Sequence, residues 1–418
     1  MCTINCDGYR SAPYTYTMLG MNLSSKKEHQ YVHFDIGSAS IGVGIAVQTG
    51  NSMNLIWSKR FEYGYQSNDD YNRYVRTMYA TLLEAGMKLT SEGFKEAKAT
   101  VPEFSVKQVE VYCLLSPPWV ISSVMTQSEV KEKPFQVAQA NITELQNRGL
   151  SNILKKQEVV SWQELMGTPA MLEVYHDVVR FEGYEVKTLE HRLVHELSTQ
   201  SYFSIVSESI QEHVKEVLER VLPNLAIHFS SSARIFSTVV HDYFPKRRSV
   251  FFEIGGEITN MGCIQQGILS NVTTIPLGTN HILKTIAPNA LSAKEARSFL
   301  DIFHKKAHTE LAFEVLPENV KEALTVWKQS VIRSMQVLSQ GVMPPTDMVV
   351  LVGKSWYPLY KLALMQPWKL PGVQQVIETR VQHVHPQESG DIDSNDVRLL
   401  VFARAVQNCT SKNSMCYT

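Results

Sequence analysis

The stretch Ser249-Val-Phe-Phe-Glu-Ile-Gly-Gly-Glu-Ile-Thr-Asn-Met-Gly-Cys-Ile264 decides how this chain is read. It runs as an apolar strand, a carboxylate at Glu253, a turn on Gly255 and Gly256, a hydroxyl at Thr259, and a second apolar strand. The same order occurs earlier, in Tyr31-Val-His-Phe-Asp-Ile-Gly-Ser-Ala-Ser-Ile-Gly-Val-Gly-Ile-Ala-Val47. There Asp35 is the carboxylate, and Gly37, Ser38 and Ala39 make the turn. Glycine lets backbone N–H groups approach an anion closely, and a carboxylate beside such a turn can hold a hydrated Mg²⁺. One copy is a weak signal, because a plain hairpin also uses glycine. Two copies, one heading each half, predict a pair of related domains clamped around a nucleoside triphosphate.

Length and composition agree with that clamp. A chain of 418 residues is too long for one core and implies two to four packed units. The 40 Lys and Arg residues against 41 Asp and Glu leave a net charge of −1. That balance gives no footprint for nucleic acid or an anionic lipid surface. The densest basic run, Lys246-Arg247-Arg248, stands just before a strand and reads as a solvated turn. No apolar run reaches the length of a membrane span, and the polar, Tyr-rich first 30 residues lack the apolar core of a secretory signal. The six cysteines lack metal spacing, and Cys113 and Cys263 fall in apolar strands as reduced core thiols. The expected compartment is the cytoplasm.

From Tyr31 the pattern is strand, turn, strand, then a third strand over Met53–Tyr63 and a helix from about Asp69 to Lys88, capped at Ser67-Asn-Asp-Asp. Val109–Leu115 is a buried strand stopped by Ser116-Pro-Pro-Trp119. From about Pro118 to Ser198 the pattern changes. A helix opens at Asn141-Ile-Thr-Glu, a strand pair over Val174–Val186 turns at Glu182-Gly183, and His191–Val206 reads as a further strand. An amphipathic helix over Ser207–Leu222, a strand at Leu225–Phe229 and a helix to about Tyr243 lead back to the second turn. Beyond it come an extended Gly267–Pro276, a helix start at Leu277-Gly278 and a charged helix over Ser292–His308. A long helix opens at Pro317, its apolar face formed by Val320, Leu324, Trp327, Val331, Met335 and Leu338. The strand Asp347-Met-Val-Val-Leu-Val-Gly353, a helix at Tyr357–Met365 and a last helix from about Ser394 to Gln407 complete an α/β chain.

This order of motifs resembles the actin/heat-shock chaperone/sugar-kinase superfamily. The turns at Asp35 and Glu253 are similar to its two phosphate motifs, and the strand ending at Gly353 to its adenosine motif. Within it, Ile275-Pro-Leu-Gly-Thr-Asn-His-Ile and the α+β insertion resemble the bacterial FtsA and PilM branch. The insertion's Asn141-Ile-Thr-Glu and Phe181-Glu-Gly-Tyr-Glu-Val are closer to FtsA. The resemblance implies two actin-like, ribonuclease H-like domains around a nucleotide cleft. The first domain would take 30–117 and 199–245, the insertion 118–198 and the second domain 246–408, with a flexible tail over 1–29 and a polar one over 409–418.

Carried over position by position, Gly37, Ser38 and Ala39 would meet the terminal phosphates of ATP from one side. Gly255, Gly256 and Thr259 would meet them from the other. Asp35 would help position Mg²⁺ through water, with Glu253 the acid of the second turn at the metal, while Gly353, Lys354 and Ser355 would lie under the adenosine. Three departures weaken that set. Glu253 stands where aspartate is usual, moving its carboxylate by roughly 1.5 Å in a site that tolerates little misplacement. Lys354 follows one glycine where two or three are usual. The ribose helix reads Ala296-Arg297-Ser298-Phe299-Leu300, without the usual acid and lysine. The expectation is a fold with ATP affinity reduced and hydrolysis slow or absent.

Asp391-Ile-Asp-Ser-Asn395 imitates the start of an EF-hand loop, but Asp396 replaces its glycine and Phe402 its final glutamate, so the segment reads as a helix N-cap. His191 and His195 have no third ligand nearby. The functional reading is an FtsA-like scaffold for cell division, self-assembling into protofilaments. The alternative is a PilM-like cytoplasmic adaptor of type IV pilus assembly, and the partner would be a division or pilus protein at the inner membrane. The ending Cys409-Thr-Ser-Lys-Asn-Ser-Met-Cys-Tyr-Thr418 is polar and unsuited to a bilayer, so membrane contact is expected only through that partner. A sugar or metabolite kinase, the contrasting class, needs a general base in the cleft. No carboxylate beyond Asp35 and Glu253 offers itself.

Overall fold

The computed structural model describes residues 29–50, 52–63, 71–186, 192–240, 243–244, 247–286, 313–339, 345–368, 379–384 and 396–411. Residues 1–28 of the tail expected over 1–29, the Ser67 cap, the charged helix at Ser292–His308 with Arg297, and Asp391–Asn395 lie outside them, while His29 opens the first strand.

Two five-stranded sheets repeat one topology. In the first, the order is β3 (Ser52–Glu62), β2 (Ser40–Thr49), β1 (His29–Ile36), β4 (Val109–Leu115) and β9 (Ile227–Ser231). In the second it is β12 (Ile268–Ile275), β11 (Thr259–Gln265), β10 (Ser249–Ile254), β13 (Asp347–Leu351) and β14 (Arg380–His383). In each, the leading three strands form an antiparallel meander and the last two run parallel to the first. Helices cover both faces, so the central strands are apolar throughout and β1 and β10 are buried almost end to end. Each quoted turn therefore joins the central strand of a sheet to its antiparallel neighbour.

The helices follow from their apolar spacing. α1 (Tyr71–Lys88) packs on α5 (Glu208–Val221), while α7 (Thr279–Ile286) and α9 (Tyr357–Met365) contact α8 (Glu318–Ser339). The whole expected face of α8, from Val320 to Leu338, is buried, with Trp327 against Phe252 and Tyr360. Cys113 and Cys263 are buried and unbridged. The segment from Leu89 to Thr100 continues as a π-helical turn and then α2 (Phe94–Thr100).

The insertion comprises β5 (Val120–Gln136), α3 (Gln139–Leu154), α4 (Gln157–Met166), β6 (Pro169–Phe181), β7 (Tyr184–Val186) and β8 (Leu193–Ser207). Its strands form one antiparallel sheet in the order β5-β8-β6-β7. The turn at Glu182-Gly183 has both residues in the left-handed region, where glycine carries little strain. β8 ends at Ser207, close to the end of the strand read over His191–Val206, and so runs past residue 198, where the insertion was expected to stop. A buried carboxylate fastens it to the first domain. Glu173 accepts hydrogen bonds from Ser204 Oγ at 3.0 Å, Ser230 Oγ at 2.6 Å, and the backbone N–H and Oγ of Ser231 at 3.1 and 2.5 Å.

The last helix crosses between halves. α10 (Val397–Ser411) follows the second sheet in sequence but lies on the first. Leu399 and Ala403 pack with Ala46 and Leu55, and Phe402 meets His33 edge-on at 4.8 Å. A Cβ on Gly42 would come within 2.5 Å of the Arg60 guanidinium and 3.3 Å of Leu399, so this strand glycine admits both. Asp396 caps the helix by accepting the Leu399 N–H at 3.1 Å.

Candidate functional site

The two turns and the end of β13 converge on a cleft of about 680 Å³ between the domains. Gly37, Ser38 and Ala39 line one wall, and Gly255 and Gly256 the facing one. Gly353, Lys354 and Ser355 lie at its third side. Thr259 does not reach it. It is buried, donating to the Leu277 carbonyl at 2.6 Å and accepting from Trp327 Nε1 at 3.0 Å. Its neighbour Asn260 lines the cleft instead, as strand alternation requires.

Each turn is held rigidly. The Gly37 carbonyl accepts from Trp119 Nε1 at 2.8 Å and Tyr63 OH at 3.0 Å, and the Ser38 carbonyl accepts from Tyr74 OH. In the second turn, the carbonyls of Gly255 and Gly256 accept the Thr279 and Asn280 N–H groups at 2.9 and 2.8 Å, which seats the start of α7 on the turn. The turns also touch one another. The Glu257 N–H donates to Ser38 Oγ at 3.0 Å, and a Cβ built on Gly256 would fall 2.1 Å from that of Ala39. At that level no gap separates the walls.

Below the turns the carboxylates meet two arginines. Arg398, in the first turn of α10, donates from Nε to Asp35 Oδ2 at 2.7 Å and from Nη2 to Asp35 Oδ1 at 2.8 Å. The same Nη2 lies 2.8 Å from Glu253 Oε1 and 2.9 Å from Ser116 Oγ. Arg60, on β3, donates to Asp35 Oδ2 at 2.7 Å and grips Asp396 with two bonds of 2.7 and 2.9 Å. Glu253 has both oxygens occupied further, by Ser116 Oγ at 3.0 Å, Ser232 Oγ at 2.7 Å and Asn260 Nδ2 at 3.1 Å. Burial pulls the Asp35 carboxyl upward, but the charges and hydrogen bonds of Arg398 and Arg60 outweigh it and hold the acid below the usual carboxylate range. Both guanidiniums are raised in turn: burial opposes the charged form, and the carboxylates overcome it.

Asp35 and Glu253 were expected to hold Mg²⁺, and the donor set does not fit that ion. Mg²⁺ needs near-octahedral oxygen ligands at about 2.0–2.1 Å and keeps several waters. Here Asp35 is fully buried and both its oxygens are bound to guanidinium, while each Glu253 oxygen already has two partners. An ion could enter only by displacing Arg398. Arg60, Arg398 and Ser232 were not singled out in the sequence, and Ser116 and Asp396 were named there only in a strand stop and as the residue that breaks the EF-hand pattern. No periodicity marks them, because they come from separate elements of the chain.

No protein-family profile matches the sequence, and no curated protein matches it. Solved structures do resemble it. A PilM-PilN type IV pilus biogenesis complex superimposes with a TM-score of 0.56 at 11% identity, covering 92% of this chain and 99% of that one. The ethanolamine utilization protein EutJ from Carboxydothermus hydrogenoformans gives a TM-score of 0.44 at 9% identity, with 92% of each chain covered. A Bacteroides thetaiotaomicron protein described as having an actin-like ATPase fold gives 0.40 at 7% identity, covering 93% of this chain and 100% of that one. The first superposition, together with the duplicated sheet and the paired turns, defines the class: the chain has the actin-like ATPase fold. Among the described residues no helix is long and apolar enough to cross a membrane.

Proposed function

We propose that this chain is an actin-fold adaptor that works by holding a partner protein, not by turning over a nucleotide. One observation carries this reading. Three carboxylates at the cleft floor, Asp35, Glu253 and Asp396, are bound by guanidinium groups, and Glu62 is a further acid on the cleft lining. A phosphotransferase needs a base poised to take a proton from water or a substrate hydroxyl, and a carboxylate saturated by arginine is a poor one. The other acid of the second turn, Glu257, is held by Asn280 Nδ2 at 2.7 Å, with Lys284 Nζ 3.7 Å away.

The likeness to the PilM-PilN complex favours the pilus reading over cell division, and the partner in that reading is a PilN-like protein. The insertion, an added sheet on a rigid scaffold, is the surface we assign to it. The test pairs two assays. Phosphate release is measured with Mg-ATP and a sugar panel, and the chain is co-expressed with a PilN-like pilus protein and, separately, with a division protein. Co-elution with a pilus protein and no turnover support the adaptor. Turnover in the purified chain overturns it, and co-elution with a division protein, or nucleotide-dependent pelleting, moves it to the FtsA-like scaffold.

A further inference from the structure

We infer that Arg398 stands in place of the divalent cation of this fold and fastens the two domains shut without metal or nucleotide. A bridging ion has three requirements: to neutralise carboxylates from both walls, to contact both at once, and to sit in a pocket shaped for it. Arg398 meets all three. Its Nη2 lies 2.8 Å from Asp35 Oδ1 of the first sheet and 2.8 Å from Glu253 Oε1 of the second. Its guanidinium carbon lies 5.2 Å from the ring centre of Phe236, which covers the side left open by the carboxylates. The pocket is built around it, since Ser116 Oγ accepts a bond from Nη2 and itself donates to Glu253.

The surrounding geometry is that of a closed joint. Ser38 and Glu257 join the turns by a hydrogen bond, and Ala39 is packed against Gly256. Arg60 repeats the device one step outward, linking Asp35 to Asp396 at the start of α10. Arg398 is carried by a helix that follows the second sheet in sequence but packs on the first, so the chain supplies its own crosslink in the position of a ligand. Charge gives this a testable edge. Without Arg398, the cluster of Asp35, Glu253, Asp396 and Arg60 would carry two uncompensated negative charges, which one divalent cation would cancel. The inference goes beyond the adaptor reading and stands or falls separately from it.

The experiment measures the melting temperature of the wild type, Arg398→Gln and Arg398→Lys, each alone, with Mn²⁺ or Mg²⁺ alone, and with Mg-ATP. A ligand that binds the native state at a hundredfold over its Kd moves the midpoint by several degrees. The wild type is expected to shift with none of them. Arg398→Gln is expected to melt several degrees lower and to recover part of that loss with Mn²⁺ or Mg²⁺, while showing a larger radius of gyration in solution scattering before the ion is added. Arg398→Lys, which keeps one charge but not the fork, is expected to fall between and to respond weakly. A wild-type shift with Mg-ATP, an Arg398→Gln protein as stable as the wild type, or an equal cation shift in all three proteins overturns the inference. If Arg398→Gln does not fold, the wild type and Arg398→Lys decide by the same criteria. Nucleotide binding without turnover, in a chain that still captures its partner, would sink the metal-free joint and leave the adaptor standing.

Discussion

Arg398 and Asp35 form a two-pronged ion pair, Nε to Oδ2 at 2.7 Å and Nη2 to Oδ1 at 2.8 Å, between residues at opposite ends of the chain. Asp35 is fully buried, and the Arg398 side chain is 13% exposed where it lines the cleft. Removing Arg398 leaves Asp35 with Arg60 alone and takes the guanidinium from Glu253, and a buried charge that loses its partner costs about 3–5 kcal/mol. Arg398→Ala should therefore lower the unfolding free energy by that order in urea titration. Adding Asp35→Asn should recover part of the loss, since it lowers the negative charge that Arg60 alone must then offset. Strict additivity of the two changes would mean that the pair is not coupled.

The same pair sets a response to acid. The folded state holds the Asp35 carboxyl below its unfolded value, so its contribution to stability is fully present above about pH 4, the unfolded value, and fades as pH falls below that toward the folded one. Stability should therefore drop with acid below pH 4 more steeply in the wild type than in Asp35→Asn. Denaturation at a series of pH values measures both slopes, and equal slopes would contradict the assignment.

Gly256 tests the contact between the turns. A Cβ there would fall 2.1 Å from the Ala39 Cβ, closer than real Cβ atoms approach, and a tight 3.3 Å from Asn280 Nδ2. Gly256→Ala should force the walls apart at a cost of about 1–3 kcal/mol. Scattering should show expansion, and Ala39→Gly in the same chain should relieve it. Gly183 serves as the control: nothing lies within 4 Å of its Cβ position, and only its positive φ resists substitution.

Glu173 fastens the insertion. Burial pushes its carboxyl up, opposed by the hydrogen bonds from Ser230, Ser231 and Ser204. Glu173→Ala leaves the buried Ser231 N–H without that acceptor, a loss of about 1–3 kcal/mol, and Glu173→Gln, which keeps one acceptor oxygen, should lose less. Hydrogen exchange should quicken in β6, β8 and the end of β9 while the second sheet stays protected. Quickening spread evenly over both sheets would show that the insertion does not detach as a unit.

Much of this architecture was legible along the chain because its signals are local. The strand β4 at Val109–Leu115, the helix at Tyr357–Met365 and the two glycine turns all follow from periodicity and turn chemistry within a few residues. The N-cap role read near Asp391–Asn395 falls to Asp396, the residue that broke the EF-hand pattern. The long β5 strand and α4 were not legible, since β5 is polar and exposed over its far half and lacks clean alternation.

The sequence by itself determined the duplicated strand–turn–strand frame and the placing of Gly37, Ser38, Ala39, Gly255 and Gly256 on facing walls, because backbone conformation and strand period act over short range. The partners of Asp35 and Glu253 were settled only when α10 returned across the molecule to the first sheet. That return brought Arg398 to Asp35 over a separation of 363 residues, and Arg60 to Asp396 over 336. Coulomb attraction depends on distance in space and on burial, and neither is written in the order of residues.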